Sequence, residues 1–202
     1  MFIHIPKTAG SSIRHALEAL KVPTHEERMA DQAGTAKTYH ETYRQFLDAY
    51  EERTGNPVET ARALRPIAFI RNPYTRFMSV HAYLTELRPG LYPDLPRDIN
   101  DFAAAFDAGE GAWVHKIRGL RPQSDFLAGT EDRADRFLGR FESIKDDIKR
   151  LEDFIGEPLM QLPHKKKSSV GKKDYRDVLS DKTLDILRKK YAVDFTGLDY
   201  PL

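Results

Sequence analysis

Phe2-Ile-His-Ile-Pro-Lys-Thr-Ala-Gly-Ser-Ser12 is the stretch on which the fold turns. A short apolar strand runs straight into a small, hydroxyl-rich loop with one lysine. An amphipathic helix follows, with Ile13, Ala16, Leu17 and Leu20 at i, i+3, i+4 and i+7. A strand, a tight loop and a helix N-terminus together make a place for an anion. Backbone N–H groups and the positive end of the helix dipole converge there, and Lys7 adds a full charge. The order of residues differs from that of a nucleotide-hydrolysing P-loop, in which the lysine follows the second glycine and precedes a magnesium-binding hydroxyl. Here Lys7 precedes Gly10, the only glycine of the loop. A phosphate-like group is expected, held in another geometry than in kinases and GTPases.

A second junction repeats this chemistry. Pro66-Ile-Ala-Phe-Ile70 is expected as a strand ending at Arg71-Asn72-Pro73. The proline suits the first turn of a helix that turns Phe77, Val80, Leu84 and Leu87 inward. Arg71 offers several donors to a phosphate, and Ser79, two helical turns on, offers one more. Taken singly, Arg71 is more often a structural or surface arginine, and Ser79 carries no signal. Further along, a third strand is expected at 136–141. The helix after it shows Ile144, Ile148, Leu151 and Ile155 at helical spacing and is closed by Gly156 and Pro158. Other helices are expected near 39–53, with Tyr43, Phe46, Leu47 and Tyr50 on one face, and near 180–191. Residues 21–38 read as irregular. Residues 88–122, rich in Pro, Gly and aromatics, read as loops in which Tyr92, Trp113 and His115 could stack on a sugar ring or simply fill a core. The alternation predicts one domain over residues 1–202, a P-loop-like three-layer α/β/α sandwich with a central parallel sheet. Both junctions then fall at the C-terminal ends of parallel strands, where open α/β sheets bind ligands.

Composition narrows the function. Hydrophobic residues are 40% and charged residues 31%, and the net charge of +1 gives no case for a nucleic-acid partner. Lys165, Lys166, Lys167, Lys172 and Lys173 cluster in a loop over 164–173 that is either a solvated face or an anion site. There is no cysteine, which excludes disulfides and thiolate metal sites. The histidines lack metal-ligand spacing, so no metal is expected. Apolar runs are too short to cross a bilayer and no secretory signal is legible, so the expectation is a cytoplasmic protein with no integral membrane segment.

Ile5-Pro-Lys-Thr-Ala-Gly-Ser-Ser12 resembles the 5′-phosphosulfate loop of sulfotransferases. Phe69-Ile-Arg-Asn-Pro-Tyr-Thr-Arg-Phe-Met-Ser79 resembles their 3′-phosphate motif, an arginine with a serine eight residues later. Arg140-Phe-Glu142, and Tyr191-Ala-Val-Asp194 through Tyr200, are similar to the bacterial relatives of Golgi carbohydrate sulfotransferases, including the heparan sulfate 2-O type. Gln123, before Phe126 and Leu127, also resembles a family position and is assigned no role. The resemblance implies 3′-phosphoadenosine 5′-phosphosulfate (PAPS) as sulfuryl donor and a hydroxyl acceptor, with a saccharide the expected class. It implies Lys7 on the 5′-phosphate and bridging oxygen, Thr8, Ala9, Gly10, Ser11 and Ser12 lining the loop with N–H and hydroxyl donors, and Arg71 and Ser79 on the 3′-phosphate. In the loop Leu162–Ser169, Lys166 or a neighbour stands where relatives often carry asparagine.

Sulfuryl transfer builds charge on the departing phosphate, which lysine and backbone donors stabilise. The acceptor hydroxyl must lose a proton, and a neutral histidine suits that near pH 7. His40 is the expected base, placed on one helical face with Tyr43 and Leu47 in the stretch between the two motifs, as a histidine base is in relatives of the 2-O type. His4 and Glu41 are the other candidates. Two different readings stay open: a P-loop-like nucleotide or small-molecule kinase, and a non-catalytic module that binds PAPS or its product 3′-phosphoadenosine 5′-phosphate (PAP).

Overall fold

The computed structural model describes residues 1–20, 40–159 and 173–202. The irregular stretch expected at 21–38 and the lysines at 165–167 and 172 lie outside the described residues. In chain order the elements are β1 (Phe2–Ile3), α1 (Gly10–Ala19), α2 (Tyr43–Asp48), α3 (Tyr50–Thr54), α4 (Val58–Arg62), β2 (Ile67–Ile70), α5 (Pro73–Ala82), α6 (Ile99–Ala108), α7 (Gln123–Leu127), β3 (Phe137–Arg140), α8 (Ile144–Ile155), α9 (Asp181–Lys190) and α10 (Ala192–Gly197). The fold is mixed α/β with a parallel sheet, as the alternation of apolar runs and amphipathic helices predicts. The chain divides into two compact units.

The first unit is built from Met1–Ile70 and from the chain that resumes at Asp125. Its sheet has the order β1-β2-β3, all parallel, with Phe2 opposite Ile67 and Phe69 opposite Gly139. Phe2, Ile13, Leu17, Ile67, Phe69, Phe137 and Leu151 form its core, so α1 and α8 bury the apolar stripes that their spacing predicts. Gly139 is required by close approach: a Cβ there would stand 2.4 Å from the Phe69 ring. The strand expected over residues 1–5 is only Phe2–Ile3. Beyond it the His4 carbonyl accepts from the His40 ring instead of from β2, and Pro6 has no N–H to give. The helix expected over 39–53 is also corrected. It begins at Tyr43 behind a Thr42–Gln45 capping box and is interrupted at Ala49. Residues 58–62, read from sequence as following a break, form α4.

The second unit is built from Arg71–Ser124 and the C-terminal segment ending at Leu202. Asn72 caps α5 by accepting from the N–H groups of Tyr74 and Thr75, and Pro73 takes the first helical position, where its missing N–H costs nothing. Phe77, Val80 and Leu84 are buried as expected, but Leu87 is 44% exposed. Residues 83–87 form a π-helical turn, and the wider turn carries Leu87 off the buried stripe. The loops expected between 88 and 122 contain α6, which is capped by Asp98 and ends at Gly109 with a left-handed φ of 72°. Its Phe102 is buried and stacks on Trp113, with ring centroids 4.9 Å apart. Trp113 is 1% exposed, so it is a core residue and no platform for a sugar. Asn100 ties α6 to α9 by accepting from Ser180 N–H and the Thr183 hydroxyl.

Candidate active site

In the first unit, β1 leads into the loop that begins at Pro6 and opens α1 at Gly10. Lys7 and Ala9 adopt left-handed backbone, φ 68° and 67°, and Thr8 between them does not. Such an alternation of hand turns successive N–H groups toward one concavity, the backbone form that receives an anion. Two non-glycine residues in this region cost on the order of 1–2 kcal/mol each, so the loop stores strain where the ligand is expected. Thr8 is 1% exposed and its hydroxyl donates to the Ile5 carbonyl at 3.0 Å. Its offer to a ligand is therefore the backbone N–H, not the hydroxyl proton that the sequence suggested. Ser11 is exposed and Ser12 and Lys7 half-buried, with their donors at the helix start.

Gly10 is needed for a different reason than conformational freedom. A Cβ there would lie 2.1 Å from His4 Cδ2 and 2.4 Å from His4 Nε2, so the Cδ2–Nε2 side of the histidine ring closes on this backbone. His4 also stacks on Phe2 and meets the His40 ring edge-on, with centroids 4.3 Å apart. Desolvation, reinforced by the charge of Arg14, lowers its pKa to about 4, so His4 is neutral near pH 7.

His40 does not sit on the helical face that the sequence predicted. It lies two residues before the Thr42 cap of α2, at φ 70°. Its Nδ1 is 2.8 Å from the His4 carbonyl. A carbonyl only accepts, so Nδ1 carries the proton, and in the neutral ring the lone pair is on Nε2. Glu41 follows, nearly buried, and takes a two-pronged ion pair from Arg53 at 2.9 and 3.0 Å. His4, His40 and Glu41 thus line one small pocket together with Phe2, Tyr43 and Phe46. Three residues that sequence reasoning named as separate candidates are neighbours.

In the second unit, Arg71 and Ser79 are both largely buried. Arg71 Nε donates to the Thr75 hydroxyl at 3.1 Å, which lays the guanidinium along α5. Ser79 follows Thr75 by four residues, so both belong to the same helix face. The Arg71 main chain is gripped by Gln123, whose Oε1 accepts its N–H and whose Nε2 donates to its carbonyl, both at 2.8 Å. Gln123 is in turn fixed by Asp194, and neither is exposed at all. Sequence reasoning missed Thr75 and gave Gln123 and Asp194 no role. Their signal is a polar residue in an apolar neighbourhood, Gln123 ahead of Phe126-Leu127 and Asp194 between Val193 and Phe195.

Among the described residues, no group of three or more carboxylates and histidines is placed to hold a metal ion, and no helix is long and apolar enough to cross a membrane. Neither the curated proteins nor the solved structures contain a match to this sequence. The family described as the sulfotransferase family matches residues 1–201, both units included. The chain belongs to the sulfotransferase family.

Proposed function

We propose that this protein transfers the sulfuryl group of PAPS to a hydroxyl of a carbohydrate, in the manner of the bacterial relatives of the heparan sulfate 2-O type. The observation that carries the reading is the Pro6–Ser12 loop, with Lys7 and Ala9 at left-handed φ where β1 passes into α1, in a chain that the family matches over residues 1–201. Lys7 meets the charge that grows on the departing phosphate; the N–H groups of Thr8 through Ser11 and the Ser12 hydroxyl hold the 5′ end, the Ser12 N–H being taken by the Ala9 carbonyl at 3.0 Å. Arg71 and Ser79 hold the 3′-phosphate. Bound there, PAPS supplies the sulfuryl group.

His40 is the base of this reading. The hydrogen bond from Nδ1 to the His4 carbonyl leaves Nε2 as the nitrogen that accepts the acceptor's proton, so the tautomer is set before the substrate arrives. His4 acts as support, presenting its carbonyl to His40 and its ring to Gly10. Glu41 is committed to Arg53 and serves structure.

Calorimetric titration with PAP, followed by transfer of labelled sulfate from PAPS to a panel of glycans and simple alcohols, tests the proposal. Lys7→Ala and Arg71→Ala are expected to abolish transfer. His40→Ala is expected to lower kcat by about 10²- to 10⁴-fold while PAP affinity stays within about twofold of the parent. Normal turnover by Lys7→Ala overturns the assignment.

A further inference from the structure

The strand bonds of β2 end at Ile70, whose carbonyl accepts from Phe141 N–H. One residue on, Arg71 has its own N–H and carbonyl answered by a single side chain 52 residues away. The Gln123 amide works as a strand partner one residue long, and two bonds of 2.8 Å flanking one Cα fix both backbone dihedrals of Arg71. Only one orientation of the amide satisfies both, because Arg71 N–H must meet its oxygen and Arg71 C=O its nitrogen. Asp194 holds that amide in place. One carboxylate oxygen accepts from Gln123 N–H at 2.8 Å and lies 3.4 Å from Gln123 Nε2. The other accepts from Ser124 N–H and from the Ser124 hydroxyl. A buried carboxylate with this many donors is stiff, and a glutamine fixed by it has little freedom left.

We propose that Gln123, anchored by Asp194, is a positioning residue that sets the backbone of Arg71 and so aims its guanidinium at the 3′-phosphate. The inference rests on the reading of Arg71 given above. Gln123 fixes the main chain and Thr75 takes Nε, so both ends of the arginine are set before the nucleotide binds. Ordering that is complete in advance does not have to be supplied by the ligand. Loss of the amide leaves every phosphate donor in the molecule and removes only their aim. Discrimination between nucleotides with and without a 3′-phosphate therefore falls, and binding of the rest of the nucleotide does not.

PAP and adenosine 5′-monophosphate differ only in the 3′-phosphate, so calorimetric titration of both against parent, Gln123→Met, Arg71→Ala and the double variant tests this directly. Gln123→Met is expected to weaken PAP about tenfold or more and the monophosphate less than about twofold, to raise KM for PAPS with kcat changed less than about threefold, and to add nothing in the Arg71→Ala background. Ser124→Ala removes one of the donors that fix Asp194 and adds no second carboxylate beside it. It is expected to shift PAP in the same selective way, by about threefold, and it decides the matter if Gln123→Met does not fold. Equal weakening of both nucleotides, or no weakening of either, overturns the positioning role. Unchanged PAP affinity in Arg71→Ala overturns instead the reading of Arg71 itself.

Discussion

Gly10→Ala tests the arrangement of the loop most directly. The added methyl would stand 2.1 Å from His4 Cδ2, whereas ordinary van der Waals contact begins near 3.4 Å. The ring must therefore retreat by more than an ångström, and it is already in contact with Phe2 on one side and His40 on the other. Overpacking of this kind costs about 1–3 kcal/mol. Replacing glycine by alanine in a helix gains up to about 1 kcal/mol, and less in a first turn. The net expectation is a loss of about 1–2 kcal/mol in urea unfolding followed by circular dichroism. The decisive control is the double variant. With His4→Ala the obstacle is gone, so Gly10→Ala should become neutral or stabilising by up to about 1 kcal/mol. A Gly10→Ala protein more stable than the parent, or one equally destabilised in both backgrounds, refutes the reasoning.

Three further expectations are independent of that one. His4 has an ordinary pKa of 6.5 and a folded value of about 4, so both states are neutral above 6.5 and the unfolded chain alone takes up a proton below it. Stability is therefore fully present above pH 6.5 and falls as pH drops toward 4, by up to about 3 kcal/mol from this group. His4→Gln should unfold with a shallower acid dependence over that window, and an unchanged slope counts against the burial of the ring. Glu41→Gln breaks the two-pronged pair with Arg53 and should cost about 1–3 kcal/mol in urea unfolding without the kcat loss of His40→Ala. A collapse of kcat at unchanged stability would make Glu41 the base. Gly139→Ala drives a methyl into the Phe69 ring at 2.4 Å and should lower stability by about 1–3 kcal/mol, and a neutral result would mean that the sheet core is looser than described.

Much of this protein is legible residue by residue. β2 appears where Ile67-Ala-Phe-Ile70 is written, and α1, α8 and α9 lie within a few residues of where their spacing puts them. Asn72-Pro73 opens α5 and Gly156 closes α8, because caps and periodicity act between residues within one turn of each other. The loop and the arginine were legible for the same reason: a strand, a cationic turn and a helix start follow one another without a break. Where expectation and structure part, a local signal was overruled or unread. Leu87 left its stripe because a π-helical turn changed the period, and α6 was hidden in a segment whose prolines and glycines drew attention from Asp98 and Gly109 at its two ends.

The sequence by itself determined the class of fold, the two strand-to-helix junctions at Lys7 and Arg71, and the sulfotransferase family, since each depends on neighbours along the chain. Only the tertiary structure decided which distant groups pack against them: the His40 ring on the His4 carbonyl, the His4 ring filling the space beside Gly10, and the Gln123–Asp194 hold on Arg71. The physical reason lies in where polar groups find partners once water is gone. A buried N–H or carbonyl must be answered, but the answering side chain is 36, 52 or 71 residues away, and only the folded path of the chain brings it there.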